Sequence, residues 1–180
     1  LLSQPPQERA AEIAALIELG CHHEMQHQEL LLTDLLHAFS FNPELPAYRA
    51  PEPLAVTSRS QDLDWQAFDG GLVEVGHDGD GFAFDNEGPR HKVYLEPFEL
   101  AGRLATNREW QAFIADGGYE RQTLWLSDGW AVREREGWTT PLYWFDKGGE
   151  WWCFGLRGAQ PIDLDAPVSH ISYYEADAFA

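Results

Sequence analysis

Positive charge is what this 180-residue chain has least of: 12 Lys and Arg stand against 30 Asp and Glu, for a formal charge of −18. A surface that acidic repels phosphate, and no basic cluster interrupts it, so nucleic acid and anionic membranes are excluded as partners. Cysteine is nearly as scarce. Cys21 and Cys153 stand in unlike contexts with no CxxC between them, which excludes a disulfide framework and points to a reducing compartment, the cytoplasm. No apolar run reaches the roughly 18 residues that a membrane span needs, and the first residues lack the charged and apolar regions of a signal peptide. A starting Met is missing, and residues 173–180 read as a helix in mid-course, so a fragment is expected. What remains is a chain with 44% hydrophobic and 13% aromatic residues, enough for a real core in one ordinary domain or pieces of two.

Two textures divide it. From Gln7 to Phe39 the apolar residues Ile13, Leu16, Ile17, Leu30, Leu31 and Leu35 fall at helical spacing, which predicts one long helix or two meeting at Gly20. Asn42-Pro43 and Pro46 end it, because a residue before proline is driven out of the α region. The stretch from Asn42 to Asp64 turns to Pro, Ser and charge and reads as a linker. After Trp65 come many Gly and Trp and short alternating runs. Leu72-Val73-Glu74-Val75 and Lys92-Val93-Tyr94-Leu95 read as strands, and Thr106 to Ile114 as a capped helix with Trp110, Phe113 and Ile114 on one face. The rest is expected to be largely irregular, with Trp125, Trp130, Trp138, Tyr143, Trp144, Trp151 and Trp152 stapling long loops.

The chemistry concentrates at His23-Glu24-Met25-Gln26-His27. Two imidazoles four residues apart project from one helix face and can share one ion at ~2.0–2.1 Å without bending the backbone. H-E-x-x-H is also the zincin signature, in which the intervening Glu24 would be the general base of a zinc hydrolase. That reading needs a third ligand, and no HxxGxxH extension follows, while Glu44 and Glu52 sit in proline-bounded loop. The pattern alone leaves open a zincin, histidines with no metal, and another site of two histidines plus one further ligand.

The longer string from His23 to Asp34 resembles the last helix of the DinB-like four-helix bundle in the ergothioneine-biosynthesis sulfoxide synthases (EgtB type), whose iron helix carries HxxxHxE. Phe82 to His91, Ala105-Thr106-Asn107, Asp116 to Tyr119, Trp125 to Trp130, Pro141 to Trp144 and Pro167 to Asp177 look like the formylglycine-generating-enzyme-like, C-type-lectin-related domain of the same proteins. The resemblance implies an α+β chain: residues 1–45 the C-terminal end of a DinB-like four-helix bundle carrying the iron helix, 46–64 a linker, and 65–180 the N-terminal part of a formylglycine-generating-enzyme-like domain. It implies an Fe(2+) enzyme that uses O₂ to join cysteine or γ-glutamylcysteine to hercynine as a sulfoxide. His23 and His27 would be two of three histidine ligands, and Gln26 would contact hercynine. The third histidine and a catalytic tyrosine are expected outside this chain, so no catalytic residue is assigned. Relatives that form a carbon–selenium bond, or that attack histidine itself, would share the iron helix.

Other chemistry-bearing residues have plainer readings. His22 points about 100° away from His23 and is a poor ligand in its place. Glu29 is either an orienting carboxylate for the imidazoles or a solvated acid. His77-Asp78-Gly79-Asp80-Gly81 reads as a tight turn, since Ala83 and Pro89 stand where a calcium loop needs Gly and Glu. Asp85-Asn86-Glu87 with Arg90 reads as a turn closed by a local ion pair. His37 reads as a surface residue, His91 and His170 as core or rim histidines, and both cysteines as buried small hydrophobes.

Overall fold

A computed structural model describes residues 9–50, 62–79 and 81–180 of the chain, an α+β arrangement of four helices and seven short strands among those residues. Residues 51–61, the middle of the linker anticipated between the two textures, lie outside them. No helix among the described residues is long and apolar enough to cross a membrane.

Helix α1 spans Ala10–Ser40, 31 residues, and runs unbroken through Gly20. Arg9 and Glu12 pair across its first turn at 3.1 Å, with the acid at the end where the helix dipole favours negative charge. At the other end the Ser40 hydroxyl donates to the His37 carbonyl at 2.7 Å and the Asn42 N–H to Phe39 at 3.0 Å. These satisfy carbonyls that the helix leaves unpaired, and Pro43 and Pro46 prevent another turn.

The described residues form two compact units, one of α1 up to Leu35 with residues 65–100, the other of residues 36–64 and 101–180. In the first unit, strand β1 (Trp65–Phe68) pairs with β4 (Phe98–Ala101), and β2 (Gly71–Val75) pairs antiparallel with β3 (His91–Leu95). The register sets Val73 opposite Val93 and Glu74 opposite Lys92, so the two alternating runs read from the sequence are partners. Gly70 is obligatory in the turn before β2. Its φ is +71°, and a Cβ there would stand 2.4 Å from the Leu95 carbonyl oxygen.

The second unit holds α2 (Asn107–Ala115), α3 (Ser127–Glu136), α4 (Tyr173–Phe179) and a three-stranded antiparallel sheet of β5 (Trp144–Asp146), β6 (Trp151–Gly155) and β7 (Gly158–Pro161). The sheet corrects the expectation of irregular structure here. Trp144 sits opposite Cys153 and Trp152 opposite Pro161, so these tryptophans are strand residues rather than loop staples. Helix α2 begins where its sequence predicts, at a capping box in which the Thr106 hydroxyl accepts from the Glu109 N–H while the Glu109 carboxylate accepts from the Thr106 N–H. Arg103 grips the same carboxylate with both guanidinium nitrogens, at 2.9 and 2.8 Å. That hydrogen-bonded pairing, assisted by the Thr106 bonds, holds the Glu109 carboxyl down at about 2 despite partial burial.

The core of this unit is aromatic: Tyr119, Trp125 and Ala178 are buried, with Phe113, Ile114, Leu124, Trp130, Trp138 and Tyr174 around them, and Trp110 stacks on Phe179 at 4.8 Å. Its polar tips are paired. Trp125 donates to the Gly118 carbonyl at 2.9 Å, Trp110 to the Tyr119 hydroxyl at 3.3 Å, and that hydroxyl donates to the Glu175 carboxylate at 2.5 Å. Burial first and the Glu175 carboxylate second push the Tyr119 phenol above its ordinary value, so it is a fixed donor.

Candidate metal centre

Helix α1 brings His23 and His27 to one side, with ring centroids 4.5 Å apart and the planes nearly perpendicular. Both rings are exposed. Gln26 is exposed beside them, about 60° round the helix from His23, and on the same broad face stand Leu16, Leu19 and Leu30, which are 60%, 43% and 58% exposed. The imidazole pair is thus flanked on this face by exposed leucines. Imidazole nitrogens are the kind of donor that zinc or iron(II), as borderline cations, accept, and two of them would leave further coordination positions to other ligands. Among the described residues no group of three or more His, Cys, Asp or Glu side chains could hold a metal, so the pair supplies two donors and no more.

The other sequence candidates fall elsewhere. Glu24 and Glu29 are exposed. Arg90 does not close the Asp85–Glu87 turn as expected. It reaches Glu74 at 3.0 Å and Asp78 at 2.8 Å, because the β2–β3 pairing brings those acids alongside, while Glu87 is taken by the Phe84 N–H at 2.7 Å. Asp78 is therefore an ion-pair partner. His91 holds its Nδ1 3.0 Å from the Pro89 carbonyl. Cys21 is exposed on α1, contrary to its reading as a buried hydrophobe, because it stands about 100° round the helix from His22, the one side chain there that is partly covered. Cys153 is half-buried in β6, and burial pushes its thiol up to about 11, so it is no thiolate nucleophile.

Two constellations had no sequence signal. His37 Nδ1 lies 3.3 Å from the Tyr143 hydroxyl, and the Tyr143 ring meets His170 edge-on at 4.9 Å. Tyr143 and His170 both have positive φ, +72° and +60°, an uncommon backbone for such side chains, and the Leu142 N–H to His170 carbonyl bond ties their loops together. Burial lowers the His170 pKa and raises that of Tyr143. On α1, His22 lies flat against Phe82, ring centroids 3.9 Å apart and planes within 14°. A spacing rule confined to one helix could find neither, because each joins segments far apart in sequence.

The sulfatase-modifying factor enzyme 1-like domain family matches residues 57–180. Three curated proteins, each named hercynine oxygenase, are similar over longer or shorter stretches. That of Mycolicibacterium thermoresistibile is 37% identical over 160 residues, covering 88% of this chain and 34% of its own length. That of Mycolicibacterium smegmatis is 32% identical over 160 residues, 88% of this chain and 36% of its own length. That of Mycobacterium tuberculosis is 42% identical over 98 residues, 54% of this chain and 23% of its own length. The chain thus spans about a third or less of the relatives it matches.

Proposed function

The chain belongs to the sulfatase-modifying factor enzyme 1-like domain family, and from that premise and its likeness to the hercynine oxygenases we propose that the protein is an iron(II)- and O₂-dependent sulfoxide synthase of ergothioneine biosynthesis, a hercynine oxygenase. The observation that supports it is the His23–His27 pair, two imidazoles 4.5 Å apart on one exposed helix face. The substrates would be hercynine and cysteine or γ-glutamylcysteine. In net terms a thiol S–H and an imidazole C–H give a carbon–sulfur bond and an S=O bond, and O₂, taking up four electrons, supplies one oxygen to the sulfoxide and one to water. In this reading residues 1–45 are the end of a DinB-like bundle, 46–64 a linker and 65–180 the start of the second domain. The cytoplasm is its place, where thiol donors stay reduced.

His23 and His27 would hold the iron through neutral nitrogens, leaving the cation its full charge. When bound, iron(II) acidifies a thiol and carries the redox chemistry with O₂. Gln26, one position before His27, presents an amide that both donates and accepts, suited to an imidazole with one nitrogen of each kind. The uncovered leucines on the same face would exclude water once that face is closed, and exclusion of water strengthens every polar contact within.

Turnover of the intact protein with hercynine and a thiol, with and without oxygen, and with iron or zinc supplied, tests the proposal. O₂ uptake that requires both substrates and iron, and that is lost on His27→Ala, is expected. Turnover without oxygen, or zinc-dependent peptide cleavage that disappears on Glu24→Gln, would overturn it in favour of a hydrolase.

A further inference from the structure

Resting on the reading of His23 and His27 as metal ligands, we infer that His22 is a positioning residue for them, acting through its stack on Phe82. Between Cys21 and Leu31 every residue of α1 is exposed except His22. It stands about 100° round the helix from His23, so it addresses a different neighbour. That neighbour is residues 82–84. The His22 and Phe82 rings lie 3.9 Å apart and nearly parallel, and Phe82 meets Phe84 edge-on at 4.9 Å. The segment is itself fixed. The Phe84 N–H donates to Glu87 at 2.7 Å and the Glu87 N–H returns to the Phe84 carbonyl at 3.0 Å, closing a single 3-10 turn.

Around the stack the packing is loose. Ala15, Glu18 and Leu19 of α1 and residues 81–85 line an open cavity of about 620 Å³ rather than interdigitating. A helix in close-packed contact has its rotation fixed by many side chains. Here one flat ring on another carries much of that duty. The lever is long enough to matter. With side chains a helix has a radius of about 5–6 Å, so a turn of about 20° moves an imidazole nitrogen by roughly 2 Å, as much as a whole metal–nitrogen bond. Loss of the stack therefore leaves both ligands in place on α1 and misdirects them together.

The test uses Co(II) alone as probe, titrated into the intact protein and followed by its visible d–d absorption. Wild type is compared with His22→Leu, His22→Ala, His22→Phe and His23→Ala. His22→Leu and His22→Ala are expected to weaken cobalt binding about tenfold or more, the range seen when groups that orient metal ligands are removed, and to change the d–d spectrum while far-UV circular dichroism stays unchanged. His22→Phe, which restores a flat ring to Phe82, is expected to bind as wild type. Should His22→Ala fail to fold, the Leu and Phe variants decide. Wild-type affinity in His22→Leu, or a loss in His22→Phe as large as in His22→Leu, overturns this inference alone. Cobalt binding that survives His23→Ala overturns the metal reading and this inference with it.

Discussion

Replacing Tyr119 by Phe removes one oxygen from the best-buried part of the chain, and the structure says what that oxygen does. Tyr119, Trp110 and Glu175 are 3%, 1% and 4% exposed, so water cannot take over its bonds. The ring contacts survive, since Phe fills the same space against Trp125 and Phe113, at 5.5 and 5.7 Å. What is lost is a 2.5 Å bond to a carboxylate and a 3.3 Å bond from the Trp110 indole. A hydrogen bond to a charged group contributes about 1.5–3 kcal/mol, and stranding the indole N–H costs about 1 kcal/mol more, the low end because its bond is long. The sum is about 3 kcal/mol. At roughly 2–4 °C per kcal/mol for a chain of this size, the melting point should fall by about 6–12 °C. Urea unfolding of both proteins, monitored by tryptophan fluorescence, reads the difference directly. Glu175→Gln is the companion: its single carbonyl still accepts from Ser172, now bonded at 2.7 Å, and its NH₂ can point at the phenol, so a smaller loss is expected. A Tyr119→Phe protein within about 0.5 kcal/mol of its parent, the scatter of ordinary surface changes, would refute the buried-network argument.

Three further outcomes are expected. The Glu109 carboxyl is held at about 2 in the folded chain against an ordinary value near 4.5, so its pairing with Arg103 stabilises the fold above that ordinary value and is lost as pH falls through about 2. The stability gap between the parent and Glu109→Gln, from urea unfolding at stepped pH, should be open at neutrality and close between those values. A gap that stays constant would show that the ion pair is not its source. Gln26→Ala in the intact enzyme should raise the KM for hercynine about tenfold, the worth of one or two lost hydrogen bonds, while iron content stays unchanged; equal losses of iron and hercynine would mark Gln26 as structural. Gly129→Ala should destabilise, because the new Cβ would meet Tyr174 atoms at 2.7 Å. Overpacking of about 1–3 kcal/mol outweighs the ~1 kcal/mol that alanine brings to a helix, and a variant that melts higher than the parent would contradict the packing.

What could be read in advance were the features whose signal is local. The β2 and β3 runs alternate, the Thr106–Glu109 capping box announces α2, and the prolines after Phe41 stop α1. The β5–β7 sheet has no such signal because its strands carry no alternation: Trp151-Trp152-Cys153-Phe154 is apolar at every position, and β5 has only three residues. Helix α3 hid for the opposite reason, since Ser127-Asp128-Gly129 and Arg133 to Glu136 show no apolar stripe. At the candidate site, the spacing of His23 and His27 was enough to bring them together. The ring that His22 sets against Phe82 was invisible, since it depends on a partner 60 residues away.

The uncovered face of α1 also governs how the chain behaves as a solute. Leu16, Leu30 and Leu31 on the helix, with Leu72, Tyr94 and Leu100 on the strands, are all more than half exposed, and such surfaces attract one another in water. The formal charge of −18 opposes that attraction. That repulsion reaches about 10 Å at 0.1 M salt and about 3 Å at 1 M, whereas the attraction between leucines is not screened. Concentrated salt, or acid near the isoelectric point of about 4.5, therefore removes the barrier and leaves the adhesive. The chain is therefore expected to associate less in dilute buffer at neutral pH than in concentrated salt, which light scattering at stepped salt would check.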